Sequence, residues 1–276
     1  MQLSKKNVQA SFSKAAETYD HAAVVQNEIL QRLLERLEIL HDQRAPILDL
    51  GSGTGLAARR LASRCDERQY FALDISEKML TFARSKHDGQ ISVCGDAESL
   101  PFKENSFGTV FSASTLQWSN HVDQTFSEVW QVLKPDGLFL FSSFGPNTLS
   151  EMRECFETID TRPHVNSFTD MHELGDLMVA GGFKDVVMES ETITIEYSDP
   201  IDLLRDLQAT GATNQLVDRA RGLFGRQRMN QYFKEYQNFR NKNGKYPATY
   251  EVVYGHGMKQ GVLNSRSEEW QPVKYF

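Results

Sequence analysis

Three aspartates carry the first chemical suggestion in this chain of 276 residues. Asp49, Asp74 and Asp96 each close or follow a short apolar run, in "ILDL", "YFALD" and "ISVCGD". If these runs are successive parallel strands, the carboxylates gather at the carboxyl ends of the strands, where open α/β sheets bind ligands. Between the first two lies "GSGTG", with Gly51, Gly53 and Gly55 at alternate positions. Glycine adopts φ values that other residues avoid, and without a Cβ it lets a ligand lie against the backbone. The pattern is not the G-x-G-x-x-G dinucleotide fingerprint, and a plain strand-to-helix turn is the alternative reading. Asp74, 19 residues beyond Gly55, is placed to accept hydrogen bonds from two ribose hydroxyls. An acid there disfavours a 2′-phosphate, and its alternative role is local capping ahead of Ser76. Asp96 is placed to accept from an adenine amino group while the Ala97 N–H donates to the ring. Three carboxylates repel a pyrophosphate and suit a cationic ligand.

The elements that would hold these residues follow from periodicity. Val25, Ile29, Leu33, Leu37 and Leu40 recur at helical spacing over His21–Leu40. "APILDL", "QYFALD", "ISVCG", "SFGTVFSAS" and "LFLFSSF" read as five buried strands. Between them "LAARRLASRC", "SEKMLTFARSK" (with Ser76 as N-cap) and "VDQTFSEVWQVL" read as helices, the last stopped by "KPDG". Apolar strands alternating with helices predict a doubly wound, mostly parallel α/β sheet covered on both faces. Beyond Gly145 the rhythm changes: helices near 148–158 and 170–180, then the β-rich "KDVVMESETITIEY", more helix, and a last strand in "ATYEVVYGHGM".

Composition is that of an ordinary globular chain, at 40% hydrophobic and 24% charged residues. No apolar run approaches the ~20 residues that span a bilayer. The N-terminus has no apolar signal core, and three cysteines without close spacing fit neither a disulfide framework nor a zinc site. A cytoplasmic protein without a metal is the expectation. The net charge of −7 disfavours nucleic acid as a partner. Yet Arg219–Lys245 carries eight basic residues against Glu235 alone, so that segment is +7 and the rest of the chain −14.

"DLGSGTG", "ALDIS", "GDAESLPFKENSF" and "LKPDG" resemble, in order and spacing, the motifs of class I S-adenosylmethionine-dependent methyltransferases. The flanks "FSKAAETYDHAAVVQ", "FGPNTLSEMRECFETID", "RPHVNSFTDMHELGDLMVAGGF" and "GKYPATYEVVYG" resemble the malonyl-acyl-carrier-protein O-methyltransferases of biotin synthesis. The resemblance implies a Rossmann-like, seven-stranded sheet with an N-terminal helical segment and a helical insert after strand five. Residues 1–44 would form a lid, 45–260 the methyltransferase domain with an acceptor-binding insert at about 145–245, and 261–276 a tail. It further implies S-adenosylmethionine as cofactor and an acyl carrier protein bearing a malonyl group as partner. Cofactor contacts are expected from Tyr19 (closing over the site), Asp49, Gly51, Ser52, Gly53, Asp74, Ile75, Asp96, Ala97 and Leu116. Two alternatives share these motifs: a methyltransferase of another small carboxylate or hydroxyl substrate, and a cofactor-binding assembly factor or hydroxylase.

A malonyl carboxylate is ionised at neutral pH and needs no base, so no catalytic base is assigned. Donors that could orient it stand at Arg162, His164 and Asn166 in "RPHVNSF", with Arg153 and Arg205 as rivals. Local turn bonding is the alternative for His164 and Asn166. "STLQW" (Ser114–Trp118) is expected against the cofactor, with Trp118 either there or in the core. "GRQRMNQYFKEYQNFRNKNGK" reads as a helix with Leu223, Phe224, Met229, Tyr232, Phe233 and Tyr236 inward. Arg226, Arg228 and Lys234 would then face solvent, either as a docking surface for an acidic carrier or as an ordinary solvated face.

Overall fold

A computed structural model of the chain describes residues 2–40, 45–61, 69–87, 89–217 and 225–261. The five expected strands form as β1 (Ile47–Leu50), β2 (Tyr70–Asp74), β3 (Ile91–Cys94), β4 (Phe107–Ser112) and β5 (Leu133–Phe144). Two long strands, β6 (Phe183–Tyr197) and β7 (Tyr246–Lys259), complete a seven-stranded sheet in the order β3-β2-β1-β4-β5-β7-β6. β1 to β5 pair in parallel, whereas β7 runs antiparallel to both β5 and β6. Strand order reverses between β1 and β4, which puts the ligand crevice of an open α/β sheet at the end of β1. "KPDG" does not separate helix from strand cleanly. β5 starts at Leu133, its register against β4 shifts, and regular pairing resumes at Leu138.

Strand side chains alternate between two apolar layers. Leu138, Leu140, Tyr250 and Val252 face one layer with α3 (Val24–Leu40), while Phe139, Phe141 and Val253 face the other with α6 (Val122–Val132) and α8 (Met171–Ala180). The second layer is built on aromatic edges, with Phe126, Phe139, Phe141 and Phe183 all within 6.4 Å of a neighbouring ring. Burying each such ring contributes about 1.5–3 kcal/mol.

The helix expected over His21–Leu40 is two helices, α2 (Tyr19–Ala22) and α3, broken at Ala23 with φ −80° and ψ 48°. The break lets Tyr19 head its own short turn. Ahead of it, α1 (Lys5–Ala15) is capped by the Ser4 side chain and buries Val8 and Ala15. The remaining helices are α4 (Leu56–Leu61), α5 (Glu77–Lys86), α7 (Ser150–Glu157), α9 (Pro200–Ala209) and α10 (Arg226–Tyr236). Ser76 caps α5 by accepting from the Met79 N–H, as its position in the sequence suggests. Arg219, Arg221, Leu223, Phe224 and the tail from residue 262 lie outside the described residues.

Candidate functional site

The loop after β1 is fastened to the end of β2. The Gly51 and Ser52 N–H groups both donate to the Leu73 carbonyl, at 2.7 and 3.0 Å. Gly51 has φ +77°, and a Cβ added there would lie 2.0 Å from Thr115 Oγ1. Gly53 has φ +54°, but its added Cβ would meet nothing within 4 Å. The loop is therefore tight beneath Gly51 and open above Gly53. That opening is a cavity of about 670 Å³ whose lining includes Gly51, Gly53, Asp74, Ile75, Asp96, Ala97 and, from the N-terminal segment, Tyr19.

Asp74 is 8% exposed. Its Oδ2 accepts the Gly53 N–H at 2.9 Å and its Oδ1 accepts the Ser76 N–H at 2.8 Å. It thus fulfils the local capping role, and each oxygen retains a lone pair for a further donor. Burial pushes its carboxyl up to about 6, against the pull of those two N–H groups. Burial first, then the charges of Asp74 and Asp20, raise the Tyr19 phenol well above its ordinary value, so it stays a neutral hydroxyl. Asp20 fastens this segment to the glycine loop: it accepts from the Thr54 hydroxyl and pairs with Arg59 at 3.0 Å. At the far end Lys5 bridges Asp96 and Glu98, at 2.8 and 2.9 Å.

Three expected cofactor residues do not line this cavity. Asp49 lies behind the loop, 2% exposed, where it accepts the Tyr70 hydroxyl at 2.8 Å. Burial pushes its carboxyl up to about 7, opposed by Tyr70 and assisted by Asp74. Ser52 is buried with its hydroxyl unpartnered among the described residues, and Leu116 is packed into the core under α6. Conversely, Lys5, Val8 and Phe12 of α1 face the cavity without having been singled out in the sequence. The signal for them is the apolar stripe Val8, Phe12, Ala15 at helical spacing, with Lys5 on the same side.

Trp118 lines both this cavity and a second one of about 680 Å³ on its other side. Phe12 meets Trp118 edge-on at 5.2 Å. The second cavity is largely apolar, with Phe144, Leu149, Met152, Leu204 and Leu207 among its walls. His164, Val165, Asn166 and Phe168 line it and also line an outer groove of about 1,090 Å³. The structure thus brings His164 and Asn166 to the inner cavity but leaves Arg153 and Arg162 in the groove. Arg153 is further committed to the Pro146 and Thr148 carbonyls, at 2.8 and 3.2 Å. His164 stacks on Phe156 at 4.1 Å and bonds Asp160 at 2.9 Å, while Asn166 accepts the Gln215 N–H at 3.3 Å. Arg205 lines none of the three spaces and pairs with Asp202 at 2.8 Å.

α10 sits on α7 through the stacked pair Phe156–Tyr232, 4.7 Å apart, and buries Tyr232 and Tyr236. Its opposite face exposes Arg226, Arg228 and Lys234, and Arg228 reaches Asp160 of the groove at 3.4 Å.

The first cavity fits the adenosyl cofactor implied by the sequence. Asp74 and Asp96 offer acceptors for hydroxyl and amino groups, and Lys5 is the sole lysine or arginine among the described lining residues. Open space over Gly53 leaves room for a ligand against the backbone.

A methyltransferase-domain family model matches residues 48–141. Among solved structures, the YcgJ protein of Bacillus subtilis aligns with a TM-score of 0.59 at 20% identity, covering 81% of this chain and 97% of that one. The cyclase SpnF aligns with a TM-score of 0.52 at 18% identity, covering 85% and 82%. At such identities the likeness is one of fold, and a fold alone does not fix the chemistry. Closer relatives are more specific. The malonyl-(acyl-carrier protein) O-methyltransferase of Gallionella capsiferriformans (strain ES-2) is 43% identical over 266 residues, 93% of this chain and 91% of that one. That of Laribacter hongkongensis (strain HLHK9) is 42% identical over 273 residues, 95% and 92%. With 42–43% identity over more than nine-tenths of both chains, the chain belongs to the malonyl-(acyl-carrier protein) O-methyltransferase family.

Proposed function

We propose that this protein is a cytoplasmic enzyme that methylates the free carboxylate of a malonyl group on acyl carrier protein, using S-adenosylmethionine, and so opens pimeloyl and biotin synthesis. The observation that carries the reading is the succession of spaces from cofactor cavity, past Trp118, to an apolar cavity and out to a groove beside α10. A flexible arm reaching in from a carrier on the surface would lie along that path. In the first cavity Asp74 would hold the ribose hydroxyls, Asp96 and Ala97 the adenine, and Tyr19 would cover the site. The cofactor supplies a methyl group already activated by its positive sulfur. Attack by the malonyl oxygen would form the O–C bond as the C–S bond breaks and leave the electron pair on sulfur. The chain's task is in-line positioning and exclusion of water around the carboxylate oxygen. Mass spectrometry of malonyl-loaded carrier protein, incubated with enzyme and cofactor, should record the gain of one methylene unit. An unchanged mass, with a small free carboxylate methylated instead, would refute the carrier assignment.

No side-chain base enters this scheme. With cofactor saturating, the single-turnover rate should be flat between about pH 7 and 9. A slope of one traced to His164 would place a base in the reaction after all.

The exposed face of α10 would serve as the landing surface for the acidic carrier. Arg228 is partly engaged by Asp160, so Arg226 and Lys234 give the cleaner test. Changing both to Glu should raise KM for malonyl carrier protein several-fold and leave turnover of malonyl-pantetheine alone. The wild-type preference for the carrier should shrink as salt screens the charges. Equal losses on both substrates would assign these residues to folding instead.

A further inference from the structure

A malonyl group would bring a full negative charge into the inner cavity, yet the described residues that line it include no Arg, Lys, Asp or Glu. Neutral donors must hold the carboxylate. That arrangement favours transfer, because a cation bound to the oxygen would stabilise the charged substrate more than a transition state in which that charge is being lost. The polar side chains of the cavity are largely committed elsewhere. Thr148 donates to the Glu251 carbonyl and accepts its N–H, at 3.0 and 3.2 Å. Asn214 spends its amide on the Pro163 carbonyl and the Leu216 N–H, at 2.6 and 2.9 Å. His164 is held by Asp160, and the Asn166 Oδ1 accepts the Gln215 N–H while its Nδ2 keeps its hydrogens. Gln117 donates to the Ser114 carbonyl at 2.8 Å, and Tyr250 is hydrogen-bonded to Tyr197. Beyond the remaining amide hydrogens of Gln117 and Asn166, whose side chains are fixed by those bonds, two groups keep hydrogens to give. Gln26, on α3, lines the cavity with no side-chain partner among the described residues. Thr213 accepts from Gln215 Nε2 at 2.6 Å and retains its own hydroxyl hydrogen.

We propose that the side-chain amide of Gln26, together with the Thr213 hydroxyl, holds the acceptor carboxylate and makes the site selective for an acyl group that ends in one. The assignment rests on the proposed acceptor but is scored separately. Carrier methylation by the wild-type protein tests the acceptor; the contribution of the carboxylate to affinity tests Gln26. Calorimetry in the presence of S-adenosylhomocysteine would compare malonyl-pantetheine, acetyl-pantetheine and the malonyl methyl ester as probes. Gln26→Ala should weaken malonyl-pantetheine about tenfold, the effect of one hydrogen bond to a charged group, and leave acetyl-pantetheine unchanged. Gln26→Glu should reject malonyl-pantetheine while still binding the neutral ester. Equal weakening of malonyl and acetyl probes would mean that Gln26 holds the arm or the fold. Unchanged malonyl affinity in Gln26→Ala would likewise overturn the proposal.

Discussion

Gly51→Ala is expected to abolish cofactor binding and to lower stability strongly, whereas Gly53→Ala should do the first and lose only the roughly 1–2 kcal/mol of its left-handed backbone. At Gly51 the new methyl would sit 2.0 Å from Thr115 Oγ1 and 2.7 Å from Thr115 Cβ, with the backbone at φ +77°. Left-handed backbone costs a non-glycine residue roughly 1–2 kcal/mol before any clash is counted. Removing the Thr115 hydroxyl and methyl with Thr115→Ala leaves the Cβ contact, so the double variant should recover only part of the loss. At Gly53 nothing lies within 4 Å of the added methyl. It would project into open cavity, where it meets the ligand and not the protein. Thermal unfolding and calorimetry on both variants separate the two outcomes. A Gly51→Ala protein with wild-type melting and affinity would contradict the packing described beneath the loop.

Asp74→Ala should weaken S-adenosylmethionine at least a hundredfold. Two hydrogen bonds to a charged acceptor are worth about 1.5–3 kcal/mol each, and each 1.4 kcal/mol is about a factor of ten. The Gly53 and Ser76 N–H groups also lose their acceptor, so the loop loosens as well. Asp74→Asn keeps one acceptor oxygen and should fall between. The same carboxylate sets a pH dependence. Burial raises Asp74 to about 6 and Asp49 to about 7, so both take up protons as pH falls through that window. A cationic ligand prefers them ionised. Cofactor affinity should therefore rise from pH 5 to about 8 and then level off, with proton release on binding near neutrality. Affinity independent of pH over that range would remove the Asp74 carboxylate from the ligand's surroundings.

The parallel core is legible because each strand is a short apolar run with helical spacing on either side. The site is legible where the backbone itself makes it, at Gly51, Gly53 and Asp74. Asp49, expected among the cofactor contacts, does not line the cavity, for a simple geometric reason. Strand side chains alternate in direction, and Asp49 turns towards the Tyr70 hydroxyl and not towards the cavity. Leu116 stands in the stretch after β4 that was expected beside the ligand, but its short 3-10 turn rotates it into the core while Trp118 faces the cavities. Arg153 and Arg162 stand outside the inner cavity for a different reason. Charge complementarity suggests that an anion needs a cation, whereas the inner cavity is lined by neutral groups. Which of its amides keep hydrogens to donate depends on contacts between segments far apart in sequence.

The first residues of the chain are stitched to two places at once. Lys5 and Gln9 hold the cofactor side, through Asp96 and the Ile75 carbonyl. Ser4, Ser11 and Thr18 bond the main chain at Gln215, Gly211 and Ala209, on either side of residues that wall the inner cavity. A displacement of α1 large enough to admit or release a cofactor must tug on the wall of the neighbouring chamber. If the two chambers are so coupled, thermodynamic reciprocity requires that whatever factor one ligand adds to the affinity of the other, the other returns to the first. A segment stitched in this way ties the floor of one chamber to the wall of the other, so that a shift at Lys5 or Gln9 would be felt at Gly211 and Gln215.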